Sequence, residues 1–104
     1  PFLGMQVGHT RQYPREWLAP EQDPDAILEP ASEMMSIDLL IRGYTLNGAY
    51  QLRMEDRIGS IESGKAADLV VLGENLFETD RYALHKVMPD AVVMEGVLMS
   101  GGFE

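Results

Sequence analysis

The side chains of this chain that could do chemistry are few and widely spaced. Its two histidines, His9 and His85, stand toward opposite ends of 104 residues, and neither lies in an H-x-H or H-E-x-x-H arrangement. A metal ion needs several donors at a workable spacing, so each histidine reads as hydrogen-bonded or surface-exposed, and no metal ligand is assigned. Serine, histidine and aspartate all occur, but no G-x-S-x-G elbow presents a serine nucleophile. Glu62-Ser63-Gly64-Lys65 lacks the spacing of a phosphate loop and precedes a strand pattern instead of a helix, so a structural turn is the better reading. Asp68 opens a very apolar stretch, where its charge demands a partner. Capping a nearby backbone turn explains it better than a role as acid or ligand. Cysteine is absent, which excludes disulfides, thiolate zinc sites and cysteine nucleophiles and leaves the cellular compartment open. No catalytic residue is assigned.

The elements that would position such groups differ along the chain. Pro1, Pro14, Pro20, Pro24 and Pro30 crowd the first thirty residues, where neither helical nor strand period persists, as in a functional loop or linker. Residues 3–12 are the exception, able to form two or three helical turns with Met5 and His9 on one side. Glu21 to Pro30 reads as an exposed loop. Trp17, the only tryptophan, falls in this part, as a contact to substrate or a plug over the core. Ser36 is suited to cap a helix with Asp38 in its first turn. Ile37, Leu40, Ile41 and Tyr44 then keep the spacing of a core-facing stripe. Gly43 in that helix suggests a second backbone close by. Asn47-Gly48 ends the helix or hands over to a short turn through Leu52.

Beyond a charged connection at residues 53–57, Ile58 and Ile61 suggest a short strand, Glu62 to Lys65 a turn, and Leu69 to Leu72 a strand buried on both faces. Thr79 to Tyr82 could form one helical turn. Glu95-Gly96, between β-branched runs, signals a hairpin. Pro89 makes the first of those runs an edge strand or delays its start. The seven methionines read as gap-fillers of core and interface, with an apolar pocket around Met34-Met35 as the alternative.

Composition is that of a globular chain, with 45% hydrophobic and 24% charged residues. The net charge of −9, from 17 acidic against 8 basic side chains, disfavours nucleic acid and anionic membranes as partners. No apolar run approaches the roughly 20 residues of a membrane span. The chain opens on Pro1, so the natural N-terminus is expected upstream, along with any targeting signal. A cytoplasmic location is favoured.

The stretch Gly59-Ser60-Ile61-Glu62-Ser63-Gly64-Lys65-Ala66-Ala67-Asp68-Leu69-Val70-Val71-Leu72 resembles the C-terminal signature of metal-dependent amidohydrolases, in which the chain leaves a catalytic barrel and completes a small β-sandwich. Leu40 to Tyr50 is similar to the helix that closes the barrel. Pro1 to Gln12 looks like the loop after the last barrel strand in the branch of N-substituted formamide deformylases and related exoenzymes. The resemblance implies an α/β fold: the last loop and helix of a (β/α)8 barrel over residues 1–52, then the C-terminal strands of the flanking β-sandwich over 53–104. A whole barrel takes about 250 residues, so the expectation is a C-terminal portion, noncatalytic by itself.

The parent that this implies hydrolyses amide-type C–N bonds of a small molecule through water activated by a divalent metal, expected to be zinc. Its metal-ligand motifs have no counterpart here. The segment's partners would be the remainder of the parent chain and, through exposed apolar surface, further copies in a homo-oligomer. A segment after the last barrel strand lies on the active-site face, which makes His9, Arg11 and Trp17 candidates to contact or cover substrate without binding metal. The competing reading is a stand-alone, noncatalytic β-rich interaction module.

Overall fold

A computed structural model describes residues 1–103 and shows a mixed fold of short helices and one antiparallel sheet. In chain order these are α1 (Phe2–Thr10), α2 (Ile37–Tyr44), α3 (Leu46–Gln51), β1 (Leu69–Leu72), β2 (Pro89–Met94) and β3 (Val97–Gly101), with single 3-10 turns at Arg15–Trp17, Ala31–Glu33 and Leu84–Lys86. Among the described residues no helix is long and apolar enough to cross a membrane. The contacts divide the chain into two compact units. One joins Pro1–Leu40 to Leu76–Val87; the other joins Ile41–Asn75 to the segment from Met88 onward.

In the first unit, the helix expected over residues 3–12 forms as α1, so the segment likened to a barrel loop is helical. Phe2, Met5, Gln6 and Thr10 are buried along it, at the spacing of a single helix face. Leu84 and Val87 complete this core, Leu84 with no exposed surface. The Met35 N–H donates to the Gly8 carbonyl at 2.9 Å, so the Met34-Met35 pair is part of the packing around α1. Ser36 caps α2 as expected, its Oγ accepting the Leu39 N–H at 3.1 Å. The stripe behind that cap, which belongs to the second unit from Ile41 on, is buried only in part. Leu40 is buried, Ile37 and Ile41 are half-buried, and Tyr44 is 52% exposed. A stripe is buried only where something packs on it, and α2 is covered near its middle. Nothing lies within 4 Å of a Cβ built on Gly43, but one built on Gly48 would sit 3.3 Å from the Gly43 carbonyl oxygen, so the next helix approaches this backbone from its carbonyl side.

In the second unit, α2 stops at Tyr44, before Asn47-Gly48, and the handover to a second short turn expected through Leu52 forms as α3, which contains both residues. The expected strand at Ile58–Ile61 does not form, and residues 55–60 are turns and bends. Their backbone is engaged locally, with the Arg57 and Ile58 N–H groups on the Met54 carbonyl at 2.9 and 3.0 Å. The turn from Glu62 to Lys65 does form, closed by Lys65 N–H to the Glu62 carbonyl at 3.1 Å. Lys65 Nζ then meets Ser60 Oγ at 2.7 Å and Glu62 Oε2 at 2.9 Å, and the Ser60 hydroxyl donates to the same carboxylate.

The sheet order is β1-β2-β3. Leu69 pairs with Val93 and Val71 with Ala91, placing these four on the covered face, where Ala91 and Val93 are buried. The opposite face is open. Val70 is 57% exposed, so the apolar run Leu69–Leu72 is not buried on both faces, because alternate side chains point to opposite faces and only one face is covered. Pro89 is the first residue of the central strand β2, a position where its missing N–H costs least. The hairpin turns through Glu95 and Gly96 at φ 49° and 80°, the pair of left-handed residues that a two-residue turn favours. The Thr79 to Tyr82 turn forms one residue on, closed by the Ala83 N–H on the Asp80 carbonyl at 2.9 Å, and a 3-10 turn follows at Leu84–Lys86.

Candidate functional site

All three residues proposed beside substrate lie in the first unit, and the geometry begins at the end of α1. Arg11 stops the helix in a left-handed conformation, φ 58°, with its N–H on the Val7 carbonyl at 2.7 Å. That bend turns its side chain onto the loop leading to Pro30. Arg11 Nε donates to the Leu28 carbonyl at 2.8 Å and its Nη2 to the Glu29 carbonyl at 3.3 Å. The Leu28 N–H in turn reaches the Arg11 carbonyl at 2.7 Å. With Gln12 Nε2 on the Pro24 carbonyl at 3.3 Å, the loop is strapped over the helix end. Beneath it is an open cavity of about 540 Å³, lined by Arg11 and mostly by apolar side chains such as Val7, Leu18, Ile27 and Leu28.

His9 and Trp17 face elsewhere. His9 Nδ1 is 2.7 Å from the Met35 carbonyl; a carbonyl only accepts, so this nitrogen carries the hydrogen. Trp17 is 57% exposed and stands edge-on to the His85 ring, centroids 5.9 Å apart. Each of the three candidates therefore has a different neighbour, and the fold does not bring them to one point.

A cluster not foreseen from sequence surrounds His85. Gln6, 1% exposed, accepts on one amide oxygen both the His85 N–H at 2.8 Å and Nδ1 at 2.7 Å. The opposite ring nitrogen is 3.6 Å from Glu16 Oε2, and Glu16 Oε1 is 3.1 Å from Lys86 Nζ. The Glu16 carboxyl is held below its ordinary 4.5, first by a hydrogen bond from its own backbone and then by Lys86. The Arg15–Trp17 turn is thereby fastened to Leu84–Lys86, and Arg15 adds its guanidinium 4.4 Å above the Tyr82 ring. One sequence signal was available: Gln6 shares a helix face with Phe2, Met5 and Thr10, and a glutamine among apolar positions needs a polar partner.

In the second unit, Asp68 Oδ1 accepts the Glu95 N–H at 2.8 Å, and the Ala67 carbonyl accepts the Gly96 N–H at 3.1 Å. Asp68 caps the hairpin turn, the structural role preferred for it. Among the described residues no three of histidine, aspartate and glutamate converge in a group that could hold a metal ion. The donor set does not fit a divalent metal.

Residues 14–99 match the amidohydrolase family. The imidazolonepropionase of Bacteroides thetaiotaomicron is 42% identical over 66 residues, which are 64% of this chain and 14% of that protein. That of Kosmotoga olearia is 32% identical over 60% of this chain and 15% of its own length. That of Treponema denticola is 56% identical over 31% of this chain and 8% of its own. A crystal structure of an amidohydrolase from Thermotoga maritima superposes with a TM-score of 0.55 at 35% identity, covering 68% of this chain and 17% of that one. The chain thus spans less than a fifth of the length of each of these proteins.

Proposed function

Because this chain belongs to the amidohydrolase family, we propose that it is the C-terminal portion of a hydrolase acting on amide-type C–N bonds, and that it contributes no catalytic group of its own. The observation that carries this reading is the family match over residues 14–99, set beside the 14–17% of a longer protein that the Bacteroides relative and the Thermotoga structure align to this chain. Residues 1–52 would then close a barrel, and 53–104 would complete the β-sandwich beside it. A divalent metal, zinc in our reading, would activate the water in the parent. Its ligands would come from elsewhere in the fold, since the donors here do not suit it, and the chemical step is not routed through these residues.

What this chain's residues do in that setting is positional. Arg11 holds the loop to residue 29 in place by two backbone carbonyls. Glu16, His85 and Gln6 hold the turn that presents Trp17. Two substrate classes suit the reading: an N-substituted formamide, as the likeness of Pro1–Gln12 implies, and the imidazolonepropionate that gives the relatives their name. The exposed β3 strand favours a second reading, a noncatalytic module that binds a partner through its sheet.

The test is to assay the chain joined to the reading frame that precedes Pro1. Amide hydrolysis lost on chelation, with His9→Ala, Arg11→Ala or Trp17→Ala changing kcat/KM at unaltered metal content, is the expected result. A preceding frame with no H-x-H motif and a product without hydrolytic activity would overturn the enzyme reading in favour of the module.

A further inference from the structure

The cavity under the strapped loop has the make-up of a small-ligand site. At about 540 Å³ it falls within the range of pockets that hold small molecules, which are typically apolar with a few placed polar groups. Val7, Leu18, Ile27 and Leu28 supply apolar wall, and Arg11 is the one cation among the lining residues. Arg11 is also immobilised. Two of the five N–H donors of a guanidinium are spent on the Leu28 and Glu29 carbonyls, which fixes the group and leaves its other donors available. An arginine held in this way loses little further freedom on gripping a carboxylate.

The opposing charge is Asp23, the one anion in the lining. Asp23 is exposed whereas Arg11 is half-buried, and Asp23 Oδ1 already accepts the Asp25 N–H at 2.9 Å. Solvent screens the exposed charge more strongly than the sheltered one, so the cation dominates the field felt inside.

We propose that this cavity binds a small monocarboxylate with an apolar tail, the carboxylate on Arg11 and the tail against Leu18, Ile27 and Leu28. The site shares Arg11 with the catalytic reading but rests on no step of it, and its test measures binding without turnover, so the two can fail separately.

The experiment is a titration of the full chain with hexanoate, hexanamide and hexylamine, followed by backbone amide NMR signals. Hexanoate should saturate, with shifts concentrated at Arg11, Leu18, Ile27 and Leu28. It should bind about tenfold more tightly than hexanamide, the difference between a charge-assisted and a neutral hydrogen bond, and weaken as salt is raised. Hexylamine should not compete. Asp23→Asn keeps the turn acceptor while removing the opposing charge, and should tighten hexanoate several-fold. Arg11→Gln should abolish the preference for the acid. Because that change also loosens the loop, Ala26→Phe serves as a second variant: Ala26 lines the cavity and is exposed, so the ring should fill the space and block hexanoate in a folded chain. Equal binding of acid and amide, preference for the amine, unchanged binding in Ala26→Phe, or no saturable shift at the lining residues would each overturn the proposal.

Discussion

Gly59 and Gly64 bracket the turn of the signature stretch at nearly the same backbone angle, φ 95° and 92°, but in different surroundings. A Cβ on Gly64 would meet nothing within 4 Å. A Cβ on Gly59 would sit 2.7 Å from the Ala49 Cβ, 3.1 Å from the Leu46 Cα and 3.3 Å from the Thr45 carbonyl oxygen. Those atoms belong to α3 and its approach, Ala49 is buried, and backbone cannot swing aside like the end of a long side chain. Gly64→Ala therefore carries only the cost of a side chain at positive φ, about 1–2 kcal/mol. That cost is offset by about 0.4–1 kcal/mol from the reduced freedom of the unfolded chain, for a net loss near 0.5–1.5 kcal/mol. Gly59→Ala adds an overpacking cost of about 1–3 kcal/mol and should lose about 2–4 kcal/mol. With a urea slope of about 1–3 kcal/mol per molar, its midpoint should fall by about 1.5 M at mid-range values, within bounds of about 0.7–4 M. Far-UV circular dichroism is the proper readout, since Trp17 reports on the other unit. Equal losses in the two variants would show that α3 does not press on Gly59 and would refute the reasoning.

Gln6→Leu should strand two donors of His85 in a buried setting, at about 1–3 kcal/mol, and should change Trp17 fluorescence; an unchanged spectrum with unchanged stability would contradict the packing around His85. The Glu62 carboxyl is held below its ordinary 4.5, first by the Ser60 hydroxyl and then by Lys65, and Glu16 is likewise depressed. A lowered folded-state value means that the stabilisation is complete above pH 4.5 and is lost as pH falls through the lower folded value. Acid titration should therefore show a decline that is shallower in Glu62→Gln and shallower again with Glu16→Gln; identical slopes would count against both contacts. Light scattering on the chain should report a dimer or larger species, since Val70, Met94, Val97 and Met99 leave apolar surface exposed on the sheet. A monomer of 11.6 kDa would show that this surface needs no cover.

Several features were legible in the residues alone because their causes are local. Ser36 finds its acceptor role three residues on, the Glu62–Lys65 turn closes on itself, and Glu95-Gly96 supplies the two left-handed positions that a tight hairpin requires. For Asp68 the sequence determined that a charge beside an apolar strand needs a partner, and the fold chose the Glu95 N–H, 27 positions away. Other outcomes depended on what packs where. Ile58 and Ile61 have strand-forming side chains, yet the Ile58 N–H bonds to the Met54 carbonyl and neither residue joins the sheet. Leu69–Leu72 has the composition of a doubly covered strand, but only one face of the sheet is covered, so Val70 is exposed on the other. The Gln6–His85 pair joins residues 79 positions apart, and the cavity beside Arg11 exists because a left-handed residue turns one side chain onto a loop beyond it. Hydrogen bonds within a turn are set by neighbouring residue types, whereas burial and distant pairing are set by which surfaces meet.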